Sequence, residues 1–283
     1  MIITLANTVT FGGLTLGATD GFGVEWYFID IDGWGATAST STPTQRLRAD
    51  GSYASEPFSS YRTITVAGAV VAPDAAGLVA AQQRLNAAAS IQDQTITVLD
   101  SGFTVTVTGR RQDEILWKRG TSDISAEFTL VFLCNDPRKF SGLVTQSTGL
   151  PSSTGGLTWP ITFPVTWTGV TTSGILSIPN NGNTIAPVKL RISGPVQGPI
   201  VTHIGSGLQL VFSSSLILAS GEWVDVDMEA KTVLAQGQAT RNGYILSRGW
   251  FGADPGSNQY GFQALTFNAG AQLTVTVPSG AWL

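Results

Sequence analysis

The chain has 283 residues, 42% of them hydrophobic and only 12% Asp, Glu, Lys or Arg, with a formal net charge of −4. Its length suits two domains, and its charged fraction is about half the ~25% of ordinary soluble proteins. The acidic balance excludes nucleic-acid binding as a duty, which needs a clustered basic face, and one cysteine with one histidine excludes both an internal disulfide and a structural zinc set.

Thr, Ser, Gly and Val replace the missing charge, which favours strands and turns over helices. So little surface charge also predicts that other subunits cover part of the surface. The stretch Met1–Asn7 lacks the positive region and long apolar core of a secretory leader. No apolar run approaches the ~18 residues of a membrane span. The expectation is a chain made and folded in a cytosol, without a membrane anchor.

In chain order, period-two alternation predicts strands at Val24–Ile31, Thr63–Val71, Thr95–Leu99, Phe103–Thr108 and Ile124–Cys134. Asp100-Ser101-Gly102 joins the third and fourth as a hairpin. Asp30-Ile31-Asp32-Gly33 looks like the start of a calcium loop, but Trp34 and Gly35 stand where oxygen ligands should follow. Gly33–Tyr61 is rich in Ser, Thr, Gly and Pro with little periodicity, and reads as a functional arm or lid. The one helix is Ala75–Ala89, N-capped by Asp74, with Leu78, Val79, Leu85 and Ala89 on the stripe that faces a sheet. Arg110, Arg111, Lys118 and Arg119, interrupted by Asp113 and Glu114, read as a solvated hairpin face. Cys134 continues an apolar row and reads as a buried small hydrophobe.

The alternation breaks at Asn135-Asp136-Pro137-Arg138-Lys139, and Ser141–Pro160 reads as a domain boundary and lead-in. Residues 1–142 hold 10 basic and 14 acidic side chains, residues 143–283 only 5 of each, which supports domains at 1–142 and 143–283. The second half has no convincing helix. Short strands are predicted at Ile161–Val165, Val188–Ser193, Ile200–His203, Leu208–Val211, Trp223–Asp227, Thr232–Ala235, Tyr260–Phe267 and Gln272–Val277, separated by Asn-Gly and Pro-Gly turns. That spacing is the pattern of an antiparallel β-sandwich.

Catalytic constellations are scarce. His203, the only histidine, lies in an apolar strand with no Gly-x-Ser-x-Gly element elsewhere, so it reads as a strand residue facing solvent or satisfied locally rather than as a catalytic base. Asp225 and Asp227 share a strand face and could act as an acid–base pair or hold a cation, although a solvated strand end is the better reading. Of the eight tryptophans, Trp223, Trp250 and Trp282 fall in the sandwich region, where an exposed ring could stack on a sugar, although core or interface packing is the better reading. No catalytic residue, metal site or cofactor is assigned.

Three stretches carry a family likeness. Arg48-Ala49-Asp50-Gly51-Ser52-Tyr53, followed by Tyr61-Arg62-Thr63-Ile64-Thr65-Val66-Ala67-Gly68, resembles the arm and central strand of the N-terminal domain of siphophage distal tail proteins. Leu133-Cys134-Asn135-Asp136-Pro137-Arg138-Lys139-Phe140 resembles the close of that domain. Asn180-Asn181-Gly182-Asn183, Glu222-Trp223-Val224-Asp225-Val226-Asp227, Gly249-Trp250-Phe251, Pro255-Gly256-Ser257-Asn258 and the Trp282-Leu283 terminus follow in the family's order. The resemblance implies a mainly β protein, with an N-terminal ring-forming β domain carrying one helix and a C-terminal galectin-like antiparallel β-sandwich.

It further implies a non-enzymatic virion protein at the tail tip, a homo-oligomer built as a hexameric ring. The tail tube protein would lie above the ring and baseplate hub or receptor-binding proteins below, with DNA present only in transit. Arg48, Asp50, Tyr53, Tyr61 and Arg62 are then the candidate ring-interface residues. The rival reading is a carbohydrate-binding module or adhesin using Trp223 or Trp250 as a platform; a glycosidase built on Asp225 and Asp227 is a third.

Overall fold

The computed structural model describes residues 7–154 and 170–283. The chain divides into two compact units, Met1–Ser141 with Trp282–Leu283, and Gly142–Ala281. Both are built from antiparallel sheets, and the only α-helix among the described residues is Ala75–Ala88. None of the described helices is long and apolar enough to cross a membrane.

The first unit is organised by its longest ladder. Arg62–Val71 alternates buried with partly exposed residues, and Ser125–Cys134 does the same. They pair from Ser125↔Val71 to Cys134↔Arg62, so Ile64, Val66 and Val70 share a core face with Phe128, Leu130 and Phe132. Gly68 is required in this ladder, because a Cβ there would lie 2.5 Å from the Phe128 ring and 2.8 Å from the Tyr27 carbonyl. Glu25–Asp32 flanks Arg62–Val71, and a bulge between Phe28 and Asp30 turns Ile29 outward. Leu14–Leu16, Thr8–Phe11, Gln94–Asp100 and Phe103–Arg111 follow one another in the rest of the sheet. This half joins the Ser125–Cys134 ladder through Arg110↔Leu133 and Arg111↔Phe132, extended by the Gln112 N–H donating to the Val131 carbonyl.

Phe11 meets Phe132 edge-on at 5.2 Å between ring centroids, inside a core that includes the helix residues Leu78, Ala81, Leu85 and Ala88. The helix begins as the sequence predicts, with Asp74 accepting the Gly77 N–H at 2.6 Å. Its buried stripe differs by one position. Val79 is 43% exposed and Ala81 takes the inward place, because Leu78, Ala81, Leu85 and Ala88 follow the 3–4 spacing that a 3.6-residue turn keeps on one face.

Gly33–Tyr61 is more regular than its composition suggests. It is a hairpin-like arm of two short ladders, Ser39–Thr40 with Phe58–Ser59 and Thr44–Gln45 with Ser52–Tyr53. Each ladder pairs two residues per strand and every paired residue is exposed, so no inward–outward alternation is written into the sequence.

The second unit packs two antiparallel sheets in a sandwich. One has the order Leu143–Gly149, Gln272–Pro278, Lys189–Ser193, Trp223–Asp227, Thr232–Ala235, Ala239–Thr240. The other runs Ile175–Asn180, Gly256–Gln263, Ile200–His203, Gln209–Phe212, Ile245–Arg248. Leu190, Ile192, Val224, Val226, Leu273 and Val275 of the first, and Ile178, Val201, Leu210, Phe212, Tyr260 and Phe262 of the second, are buried. Leu143–Gly149, read from sequence as part of a lead-in, is a full sheet strand paired from Leu143↔Pro278 to Gly149↔Gln272. Strands at Ile175–Asn180 and Ile245–Arg248 were not anticipated. The predicted strand Ile161–Val165 lies outside the described residues. Trp282 belongs to the first unit rather than the sandwich, with its ring edge-on to Phe103 at 5.3 Å.

Candidate interaction surfaces

Both carboxylate pairs singled out in the sequence are engaged by neighbouring groups of the fold. Asp30 and Asp32 each accept the N–H of the next residue, at 2.8 Å in both cases, and no cluster of three or more potential metal ligands occurs among the described residues. Asp225 and Asp227 are instead matched by basic partners on the neighbouring strand. Arg191 Nε donates to Asp225 Oδ1 at 2.6 Å, and Lys189 Nζ lies 3.7 Å from Asp227 Oδ2. Asp227 Oδ1 also accepts the Glu229 and Ala230 N–H groups, closing the turn that follows.

His203 is satisfied within the fold and buried rather than facing solvent. Its Nδ1 lies 2.8 Å from Ser206 Oγ, its Nε2 3.1 Å from Asn258 Oδ1, and its ring lies against Phe251 and Tyr260. Asn180 is similarly absorbed. Its Nδ2 donates to the Thr184 and Ala253 carbonyls, and its Oδ1 accepts the Gly182 and Ala281 N–H groups. The Asn-Asn-Gly and Pro-Gly-Ser-Asn stretches therefore serve turn architecture. Cys134 is buried in the first core, and burial pushes its thiol up to about 11.

The arm is the first unit's most exposed feature. Arg48 and Asp50 sit exposed at its tip; Tyr53, on the returning strand, is 63% exposed with the Arg46 guanidinium 5.3 Å from its ring centroid. Tyr61 is exposed at the base. Leu47 and Phe58, not singled out from sequence, add apolar surface to the same arm, Leu47 being 100% exposed. Arg62 does not belong on this surface. It is 1% exposed, and its guanidinium donates to the carbonyls of Gly33 (2.8 Å), Gly35 (2.5 Å) and Pro137 (2.9 Å). Gly33 adopts φ +75° there, where a Cβ would lie 1.9 Å from the Thr63 carbonyl oxygen. Arg62 thus ties both the start of the arm and the Pro137 segment to the central strand. Close by, Lys139 Nζ donates to the Trp34 carbonyl at 2.6 Å and lies 5.1 Å from that indole's centroid.

A second surface of the first unit is a shallow apolar groove of about 440 Å³ along the helix, lined by Phe22, Val24, Gly77, Ala80, Gln83, Arg84 and Ala87. Arg84 is the only charged residue of the helix and lies 4.4 Å from the Phe22 ring centroid.

In the second unit, Trp223 and Trp250 fall in different places. Trp223 lies on the Trp223–Asp227 strand of the first-named sheet, half-buried, donating its indole N–H to Asp225 Oδ2 at 3.1 Å beneath the Arg191 guanidinium. Trp250 follows the Ile245–Arg248 strand of the opposite sheet, also half-buried. Sequence reasoning passed over Lys189 and Arg191. Their alternation with the buried Leu190 and Ile192 was the signal that they share a face and could meet the two aspartates.

No family model matches this chain, and no curated protein matches it significantly. Solved structures do. The chain is similar over 98% of its length, and 99% of the other chain, to the SPP1 Dit (gp 19.1) protein, described as a paradigm of the hub adsorption apparatus in phages infecting Gram-positive hosts. The TM-score is 0.67 at 17% identity. It is similar over 95% of its length, and 97% of the other chain, to a chain of the phage P2 baseplate in its activated conformation, with Ca and again with Sr, each at TM-score 0.53 and 11% identity. The fold is therefore that of phage hub and baseplate chains, end to end, as the sequence resemblance implies.

Proposed function

We propose that this chain is a structural distal tail protein of a siphophage, a virion component of the tail-tip hub. The observation that carries this reading is the end-to-end fold match to SPP1 Dit, spanning both units in one order. At such low identity the match speaks for architecture. The exposed arm and the charge-poor helix groove supply the rest of the support.

A closed ring repeats one heterologous contact, so each subunit needs two different adhesive flanks. The arm, with Leu47, Tyr53 and Phe58 outward, is one; the groove between Phe22 and Ala87 is the other. In this reading the arm of one copy lies against the next, with Arg48, Asp50 and Tyr61 at the contact and Arg62 holding the arm's root from within. Six copies would close the ring around a channel that DNA traverses, between the tail tube protein above and baseplate hub or receptor-binding proteins below. The protein would be made in the host cytoplasm and would need no cofactor and no catalysis.

Light scattering with negative-stain imaging tests the proposal. The expected result is a ring of about six times the 29.7 kDa chain mass. A Tyr53→Asp, Phe58→Asp double variant should give a folded monomer. A wild-type chain that stays monomeric at tens of micromolar overturns the ring.

A further inference from the structure

The outward face of the six-stranded sheet in the second unit carries a groove of about 620 Å³, whose polar lining includes Thr145, Lys189, Arg191, Asp225, Asp227 and Thr276. Strand alternation builds it. Leu190, Ile192, Val224 and Val226 turn inward, so the four charged side chains share the outer face, in register as Lys189↔Asp227 and Arg191↔Asp225.

The charges of the groove cancel. Two cations and two carboxylates face one another in pairs, so it offers no net attraction to a phosphate, a polyanion or a metal ion. What it offers is hydrogen-bonding capacity of both signs. Arg191 gives Nε to Asp225, and among the described residues its terminal N–H groups have no hydrogen-bond partner. The pair is wet, with 54% of the Arg191 side chain and 34% of Asp225 exposed, so a ligand can reach it without first dismantling a buried contact.

The same side chains are held in place beforehand. Asp225 Oδ2 accepts the Trp223 indole N–H, and the Arg191 guanidinium lies 5.4 Å from that ring's centroid. Elsewhere on the groove the Thr145 and Thr276 hydroxyls bond each other at 3.0 Å, each retaining capacity for a further partner. Leu234 lends an apolar floor, and Trp223 continues into a neighbouring cleft of about 360 Å³ with Gln236 and Tyr244.

Adjacent hydroxyls on a ring fit this set: each accepts from a guanidinium or ammonium, donates to a carboxylate, and leaves C–H groups for the Leu234 side chain. We propose that the groove binds a neutral saccharide. The site lies within the second unit alone, so it does not depend on the ring reading.

The test is binding of the full-length chain to immobilised neutral oligosaccharides (gluco-, galacto-, manno- and N-acetylglucosamine series) beside sialylated and sulfated controls. Oligomer mass is followed in the same samples. The expected result is retention on at least one neutral series, insensitive to salt, and at least tenfold weaker for Asp225→Asn, the order expected for losing a hydrogen bond to a charged group. Thr276→Val, a change confined to the sheet surface, should weaken the same interaction and decides the matter if Asp225→Asn folds poorly. The proposal is overturned if no neutral series is retained, if only the charged controls are, or if well-folded Asp225→Asn or Thr276→Val binds like the wild type. A monomeric chain that still binds would sink the ring and spare the groove.

Discussion

Replacing Arg62 with leucine keeps apolar bulk at the root of the arm and removes the three guanidinium hydrogen bonds there, leaving the Lys139 bond to the Trp34 carbonyl in place. Three carbonyls lose their partner, those of Gly33, Gly35 and Pro137. Hydrogen bonds from a charged donor contribute about 1.5–3 kcal/mol each, so the gross loss is about 5–9 kcal/mol. Two effects offset it: the variant no longer buries a guanidinium, one of whose nitrogens, Nη2, is buried without a partner, and carbonyls near the exposed arm can recruit water. The expected net loss is about 2–4 kcal/mol, confined to the first unit. Because the chain has two units, one global unfolding energy is not defined.

Hydrogen-exchange mass spectrometry resolves the effect by segment. Amides of the arm, such as Arg46 (bonded to the Gly51 carbonyl) and Ser60 (bonded to that of Ala38), should exchange much faster in the variant. The sheets of Gly142–Ala281 should stay as protected as in the wild type. Unchanged exchange across 33–61, with a first-unit unfolding free energy from urea titration shifted by less than about 0.5 kcal/mol, would refute the assignment of Arg62 as the arm's anchor.

Two further outcomes follow from the first unit. Cys134, its thiol pushed up to about 11 by burial, ionises less readily folded than unfolded, so its contribution is fully present below the unfolded value near 9 and is lost as pH rises toward 11. A decline of about 2–3 kcal/mol in first-unit stability over that window, abolished in Cys134→Ala, is expected from pH-dependent urea titration, and Ellman's reagent at pH 8 should label the thiol only after unfolding. Asp74→Ala removes the acceptor of the Gly77 N–H and should cost about 1 kcal/mol, seen as a lower urea midpoint for the first unit; no shift would mean that packing alone sets the helix start.

Much of the fold was legible in the residues because burial on one face writes a period into the chain. Arg62–Val71, Ser125–Cys134, Trp223–Asp227 and Gln272–Pro278 alternate because one side of each strand meets a core, and Ala75–Ala88 shows a helical stripe for the same reason. The absence of a histidine or cysteine set was equally plain, since such chemistry depends on residue counts that sequence states directly.

What the sequence left open depended on partners distant along the chain. The arm's ladders bury nothing, so no period marked Ser39–Thr40 or Thr44–Gln45 as strands. Arg62 looked like arm surface until folding brought the carbonyls of Gly33, Gly35 and Pro137 around it. Asp225 and Asp227 looked like a free carboxylate pair until the strand register set Arg191 and Lys189 opposite them. Local periodicity marked the helix and the strands that bury one face; only the tertiary structure, by choosing neighbours, decided the arm's ladders, which polar side chains are anchors and which face outward.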